Sequence, residues 1–296
     1  MERLRRVASV WSWLPAFRAV AETQHLPTAS AELEVSASAL SRTIRLLETD
    51  LGQALFERQG RRIVLNETGE RLLVAVRDAM RRVHDGMSVV DSATLSGSLY
   101  IASTNAATDL VVTHALGSLQ EHAPGIVPQL RPTPPARLAE ALLQGTLDVA
   151  FTTTPRADAN LTRVALGELP ASVYAPAGHP AATARRFSAA QHPFVVWGQQ
   201  PDGTTVDGWP PSLERPVAAV VTTAAMAHAL AVRIGALVVL PRAQARAAVE
   251  RGELVELRTK LNSTPVFALH RHSLLPGGRA ETLVELARSA VAGGLQ

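Results

Sequence analysis

Cysteine is absent from the 296 residues, which excludes disulfides, thiolate nucleophiles, cysteine-ligated zinc, iron–sulfur clusters and thiol redox sensing. Lysine occurs once, at Lys260, and tyrosine twice. Almost nothing therefore titrates between neutrality and strongly alkaline pH while the arginines stay charged. This explains how a pI near 10.1 coexists with a formal charge of only +3. The pI is an arginine-for-lysine effect, and the location of the arginines must carry any argument for a polyanion partner. With 47% apolar and 19% charged residues the chain can bury sizeable cores, and its length suggests about two domains.

Long uninterrupted apolar runs are also missing. Met1 to Ala21 superficially resembles a secretory signal, but Ser9, Ser12 and Pro15 interrupt it and Arg18 precedes the supposed cleavage site. Thr222, Thr223, His228, Arg233 and Gly235 punctuate Pro216 to Pro241, which reads instead as strand, helix from about Thr223, and strand. No transmembrane span is needed, and the expected location is the cytoplasm. The usual enzyme signatures are absent: there is no nucleophile elbow, phosphate-binding loop, H-E-x-x-H or dinucleotide-binding glycine motif. His270-x-His272 is the one metal-like spacing, and no acidic or cysteine ligand lies near it in sequence. Neither a cofactor nor a metal is expected.

The N-terminal segment, to about Asn66, reads as short helices. Leu14, Phe17, Val20 and Ala21 recur at helical spacing, and a second helix spans about Pro27 to Leu33. After a turn at Glu34-Val35, Ser36 caps a third helix with Leu40, Ile44 and Leu47 inward, ended by Gly52. These are the parts of a helix-turn-helix. Residues 55–58 and 63–65 then flank Gln59-Gly60-Arg61-Arg62 as a β-hairpin, a wing with two arginines at its tip.

Leu73, Val76, Met80, Val83, Met87 and Val90 step alternately by three and four, an a/d seam on a helix capped by Asn66 or Thr68. About 25 residues of helix span roughly 37 Å. So narrow a stripe reads as a dimerisation helix, with a core helix of its own domain as the alternative. From Gly97 strands and helices alternate: strand 99–103, a helix from Asn105 or Thr108 to His122, strand 126–130, a helix to Leu143 and strand 147–152. Such a βαβαβ unit favours a parallel sheet. A second set follows through residues 171–174, 194–197, 218–221, 237–240, 254–257 and 266–270, with a final helix near Ala280 to Val291.

The stretch from Ala31 to Glu70, including VSASALSRTIRLLE, LFER and LNETGE, resembles the winged helix-turn-helix of LysR-type transcriptional regulators. HALGSLQEHAPGIVPQL, EALLQGTLDVAF, YAPAGHP and AVRIGALVVLP resemble that family's effector-binding domain in the expected order. The resemblance implies a winged helix-turn-helix over 1–66, a linker helix over 67–96 and a bilobal α/β effector domain over 97–296. The two Rossmann-like subdomains of that domain would take about 97–167 with 269–296, and about 168–268. It further implies a dimer or tetramer on double-stranded promoter DNA, responding to a small molecule between the subdomains. A bilobal small-molecule-binding protein or an enzyme without a DNA role is the alternative.

The candidate DNA-binding residues are Ser36, Ala37, Ser38, Ser41, Arg42 and Arg45 on the third helix and Arg61 and Arg62 on the wing. Arg42 or Arg45 suits guanine or phosphate, and the wing arginines suit phosphates or a minor groove. Through residue 92 there are 13 arginines against 12 acidic residues, so the positive field is local. Family members often carry Gln-Pro where this chain has Ala37-Ser38, which removes a bidentate adenine reader. Carried over from the family, the effector residues are Ser103, Thr104, Asn105, Thr133, Thr152, Thr153, Trp197, Gly198, Thr222 and Thr223, at strand ends and helix starts where open α/β sheets bind ligands. Each Ser or Thr there can equally be an ordinary cap. The arginine that members responding to aromatic acids can carry is absent near Thr153.

Overall fold

The computed structural model describes residues 2–59, 62–90, 95–184, 187–198, 205, 207–210, 212–257, 259, 261–272, 274 and 276–295. The chain divides into two compact units, Met1–Met87 and Ser88–Gln296. No helix among the described residues is long and apolar enough to cross a membrane.

In the first unit, α1 (Glu2–Thr23), α2 (Leu26–Glu32) and α3 (Ala37–Leu51) precede an antiparallel hairpin of β1 (Phe56–Gln59) and β2 (Arg62–Leu65), then α4 (Glu67–Val90). The expectation of short helices fails at α1, which runs 22 residues straight through Pro15. Proline removes one hydrogen bond to the preceding turn, but Leu14, Phe17, Val20 and Ala21 are all buried in the core shared with α3, and that packing outweighs the loss. The tight turn between α2 and α3 puts Glu34 in the left-handed region (φ +53°). Ser36 then caps α3 by accepting from the Ala39 N–H at 3.2 Å, and Gly52 (φ +69°) ends it.

Glu48 ties the end of α3 to the wing: its Oε1 accepts from the amides of Leu55 at 2.8 Å and Phe56 at 3.3 Å. Glu48→Ala leaves both amides without that acceptor. It is expected to destabilise this unit by about 2 kcal/mol in thermal unfolding, while Glu48→Gln, which keeps an acceptor oxygen, loses less. Equal losses for the two variants would show that the side chain acts by packing alone.

The heptad seam on α4 splits in two. Leu73 is 6% exposed and Val76 2%, both inside the core built by α1 and α3, and Met80 packs partly against it. Assigning Leu73 and Val76 to dimerisation is therefore corrected: the winged unit itself uses them, because α4 starts on its core. Val83 and Met87 are 45% and 66% exposed, and the Val90 side chain lies outside the described residues.

The second unit contains two five-stranded mixed sheets. The first has the order β4-β3-β5-β12-β6, from β3 (Gly97–Ser103), β4 (Ile126–Leu130), β5 (Val149–Thr152), β6 (Leu161–Leu169) and β12 (Thr264–Arg271). The second has the order β11-β7-β10-β8-β9, from β7 (Ala171–Pro176), β8 (Phe194–Trp197), β9 (Val217–Val221), β10 (Leu237–Pro241) and β11 (Leu254–Leu257). Helices α5 (Ala106–His122), α6 (Leu138–Leu143) and α10 (Arg279–Ala292) cover the first sheet; α8 (Ala224–Ile234) and α9 (Arg242–Glu250) pack on the second, beside the short α7 (Pro180–Thr183). The parallel core β4-β3-β5 agrees with the βαβαβ reading, but β12 and β6 add antiparallel strands.

The boundaries of the subdomains differ from expectation. Strand β6 reaches Leu169 and β12 opens at Thr264, so residues 264–268, expected in the second subdomain, belong to the first sheet. Only Pro170 separates β6 from β7, and the return crossover joins β11 to β12. Register then fixes which strand ends face the crossovers. Thr152 pairs with Phe267 near the start of β12, and Pro241 pairs with Ala171 at the start of β7. The carboxyl ends of the parallel strands in both sheets therefore turn toward the hinge.

Candidate functional site

On α3 the N-terminal turn is small and already internally bonded. Ser36 Oγ sits 3.1 Å from Ser38 Oγ besides capping Ala39, so both hydroxyls begin the helix rather than stand free. Ser41 is half-buried, while Ala37, Arg42 and Arg45 are exposed. Among the described residues neither Arg42 nor Arg45 has an ion-pair partner, whereas Arg6, Arg18, Arg77 and Arg82 of the same unit are paired with acids. The inner residues Leu40, Ile44 and Leu47 are buried, which orients the two free guanidiniums outward.

The wing lies beside this helix. Arg62 pairs with Gln59 across the hairpin, and Arg61 lies outside the described residues. A groove of about 520 Å³ between the start of α2 and the hairpin is lined by Gln24, His25, Leu26, Arg58 and Arg62 among others. A second, of about 280 Å³, runs between α3 and the hairpin past Ser41, Arg45, Glu48 and Arg58. Arg58 borders both, and sequence reasoning missed it by counting it only as a strand residue. The signal that finds it is alternation: a β residue with its neighbour Glu57 on the other face presents Arg58 to one side of the hairpin.

In the second unit, Ser103 ends β3 and Asn105 caps α5 by accepting from the Thr108 amide at 3.1 Å. Thr108 Oγ1 gathers this turn, lying 2.7 Å from Ser103 Oγ and accepting from the amides of Thr104 and Asn105 at 3.1 Å. Asn105 Nδ2 donates to Thr153 Oγ1 at 2.8 Å, joining the ends of β3 and β5. Among the described residues Thr104 Oγ1 is buried with no hydrogen-bond partner. Thr133 bonds back to the Arg131 carbonyl, and Gly198 follows β8 with φ +66°. Thr222 and Thr223 are exposed, Thr223 capping α8 through the Met226 amide at 3.2 Å.

Two expected ligand contacts are corrected. The Trp197 side chain is 1% exposed inside the second sheet's core, where Nε1 donates to the Val239 carbonyl at 2.7 Å. Thr152 is fully buried and accepts from the Thr154 amide at 3.2 Å. Strand alternation turned both side chains into the protein. His270 and His272 do not form a metal pair: His270 Nδ1 donates to the Arg271 carbonyl at 2.7 Å, and His272 Nδ1 shares a hydrogen bond with Thr162 Oγ1 at 2.8 Å. Burial pushes His270 below its ordinary range, which keeps it neutral at pH 7. Among the described residues no group of three His, Cys, Asp or Glu is placed to hold a metal.

Two family profiles match this chain. Residues 11–70 match "Bacterial regulatory helix-turn-helix protein, lysR family", and residues 92–292 match "LysR substrate binding domain". A probable hydrogen peroxide-inducible genes activator from Mycobacterium xenopi is 33% identical over 175 residues, covering 58% of this chain and 93% of the relative. The uncharacterised HTH-type transcriptional regulator YybE of Bacillus subtilis is 32% identical over 180 residues, but this alignment spans only 60% of its length. Among solved structures, a full-length OxyR from Pseudomonas aeruginosa superposes with a TM-score of 0.67 at 19% identity, covering 93% of each chain. LysG from Corynebacterium glutamicum, solved with bound effector Arg, gives 0.60 at 19% identity, covering 94% of this chain and 97% of its own. At such identities the structures speak for the fold alone.

Proposed function

This chain belongs to the LysR family of bacterial regulators, and on that premise we propose that it binds promoter DNA as a dimer or tetramer in the cytoplasm and answers to a small-molecule effector, without catalysing a reaction. The observation that carries the reading is the pair of exposed guanidiniums, Arg42 and Arg45, without an ion-pair partner among the described residues, on a capped helix beside a wing bearing Arg58 and Arg62. The capped α3 enters the major groove from its N-terminal end, with Ala37 and Ser41 close to the bases. Arg58, Arg61 and Arg62 hold phosphates.

The effector would lie at the hinge, between Thr104, Asn105 and Thr153 of the first subdomain and Gly198, Thr222 and Thr223 of the second. Thr104 Oγ1, buried without a partner, supports a ligand there. The Mycobacterium relative is a probable hydrogen peroxide-inducible genes activator, whereas these 296 residues hold no thiol with which to sense peroxide. Oligomerisation has support in both units. Beside Val83 and Met87 on α4, the edge strands β4 and β9 expose Val127, Leu130, Val217 and Val220.

The test is a mobility shift with the protein's own upstream DNA over a range of salt concentrations; no specific complex at any salt would refute the reading. Arg58→Ala and Arg62→Ala are expected to weaken all sequences alike and to flatten the salt slope by about 0.9 each. Arg42→Ala is expected to change sequence preference, losing about 1–3 kcal/mol at one position of the site. Uniform weakening by Arg42→Ala would reassign it to phosphate.

A further inference from the structure

The connection between β8 and β9 is unusual for two parallel neighbours. A parallel crossover is commonly covered by a helix, but no helix is present in it among the described residues. Instead a buried ion pair holds it. Asp207 Oδ2 accepts from Arg215 Nη2 at 2.6 Å, with the two side chains 0% and 5% exposed. Asp207 Oδ1 accepts from the Thr205 hydroxyl at 2.8 Å and the Trp209 amide at 3.1 Å. The Arg215 guanidinium lies 4.9 Å from the Trp209 ring centre and 5.3 Å from that of Phe194, on the apolar face of the second sheet.

This arrangement is costly. Among the described residues Arg215 Nη1 is buried with no hydrogen-bond partner, and apolar residues of the same volume would cover the sheet without burying charge. A buried ion pair is a poor source of net stability, but separating its partners leaves an uncompensated buried charge, so the segment is held where the pair is made. What that conformation reaches is the hinge. Gly208 adjoins Asp207 at φ +84°, and a Cβ there would stand 3.5 Å from the Asn262 carbonyl oxygen, 3.6 Å from Thr264 Oγ1 and 3.8 Å from Ala171 Cβ. Ala171 opens β7 just after the first crossover, and Asn262 and Thr264 end the second. One short segment thus runs close beside both crossovers while Arg215 anchors it to the body of the second sheet.

We propose that the segment pinned by the Asp207–Arg215 pair is a latch that sets the angle between the two subdomains by holding Gly208 against both crossover segments. The latch belongs to the second subdomain and works whether or not DNA or effector is bound, so it does not depend on the regulatory reading. Breaking the pair frees the segment from the crossovers, and the hinge then samples a wider range of angles. A Cβ at Gly208 would itself fit at ordinary contact distance, but a large side chain there leaves the pair whole, strains a left-handed backbone and overfills the space beside both crossovers, so the angle moves.

The natural lack of cysteine permits the direct measurement. Ala136→Cys and Ala225→Cys place spin labels at exposed positions of the first and second subdomains, and the labelled full-length chain is diluted into unlabelled protein so that only intramolecular distances are read. Asp207→Asn and Arg215→Gln are expected to broaden the distance distribution at least twofold. Gly208→Leu, which keeps the ion pair but reaches beyond the space a Cβ would fill, is expected to shift its mean by 2 Å or more, taking ~2 Å as the scale of hinge rearrangements. Val239→Ala, a truncation in the same core, serves as the control for general softening and is expected to leave both unchanged. The latch is overturned if Asp207→Asn and Arg215→Gln lower only the melting temperature, or if Val239→Ala broadens the distribution equally. Should the charge variants not fold, an unmoved mean in Gly208→Leu overturns it alone.

Discussion

Val83→Asp is expected to turn the protein into monomers in sedimentation velocity and to weaken binding to its DNA site by about a hundredfold or more, because two linked half-site contacts become independent. The argument rests on the division of α4. Leu73 and Val76 are covered by the winged unit, while Val83 and Met87 continue the same stripe into solvent. A twofold interface uses the same patch of both copies, so one substitution puts two carboxylates into one apolar interface. Covering an exposed Val or Met contributes about 1.5–3 kcal/mol when burial is complete. Val76→Asp should act differently, lowering the melting temperature of the winged unit, because its charge enters a filled core. Monomers from Val76→Asp without loss of stability, or an unchanged sedimentation coefficient for Val83→Asp, would reverse the assignment of the two halves.

Gly69→Ala should cost the winged unit about 3 kcal/mol, although in an ordinary helix the same change is worth about 1 kcal/mol in the opposite direction. A Cβ at Gly69 would stand 2.2 Å from the Leu55 carbonyl oxygen and 2.6 Å from Leu65 Cδ2. The first of these is backbone, which cannot rotate away. It is also already engaged, accepting from the Asn66 amide at 3.0 Å. Asn66 completes the junction by capping Gly69 through Oδ1 at 2.9 Å and donating to the Ala54 carbonyl at 2.8 Å. The start of α4, the base of the wing and the chain after α3 therefore meet at this glycine. For a unit of this size the loss corresponds to a fall of about 10 °C or more in melting temperature. A neutral or stabilised Gly69→Ala would mean that α4 can withdraw from the wing without penalty.

Local chemistry made much of the fold legible. Ser36, Gly52, Thr223 and Gly235 delimit helices by capping and left-handed geometry, and the residues 126–130, 194–197 and 254–257 form strands over the expected spans. Other elements carried weak signals. Strand β6 mixes Thr162, Arg163, Gly167 and Glu168 with its apolar residues because it is an edge strand pairing on one side only. Helix α9 follows directly on β10 at Arg242, with no capping residue ahead of it to announce a start.

At the functional surfaces the same distinction holds residue by residue. That Arg42 and Arg45 occupy the outer face of a capped helix follows from the periodicity of Leu40, Ile44 and Leu47. That they remain unpaired, while Arg6 finds Asp50 and Arg77 finds Glu22, depends on neighbours 44 and 55 residues away in the chain. Periodicity likewise identifies the apolar stripe of α4 but cannot say what covers it, since a core face and an interface share the same 3.6-residue repeat. Only packing assigned Leu73 and Val76 to the winged unit, turned Trp197 inward to Val239 and brought Asp207 to Arg215. Sequence by itself determined the ends of the capped helices and which residues are apolar, because caps, glycines and spacing act over a few residues. Tertiary structure alone decided which side chains remain free to act, because burial and charge pairing are set by parts of the chain that meet only when it folds.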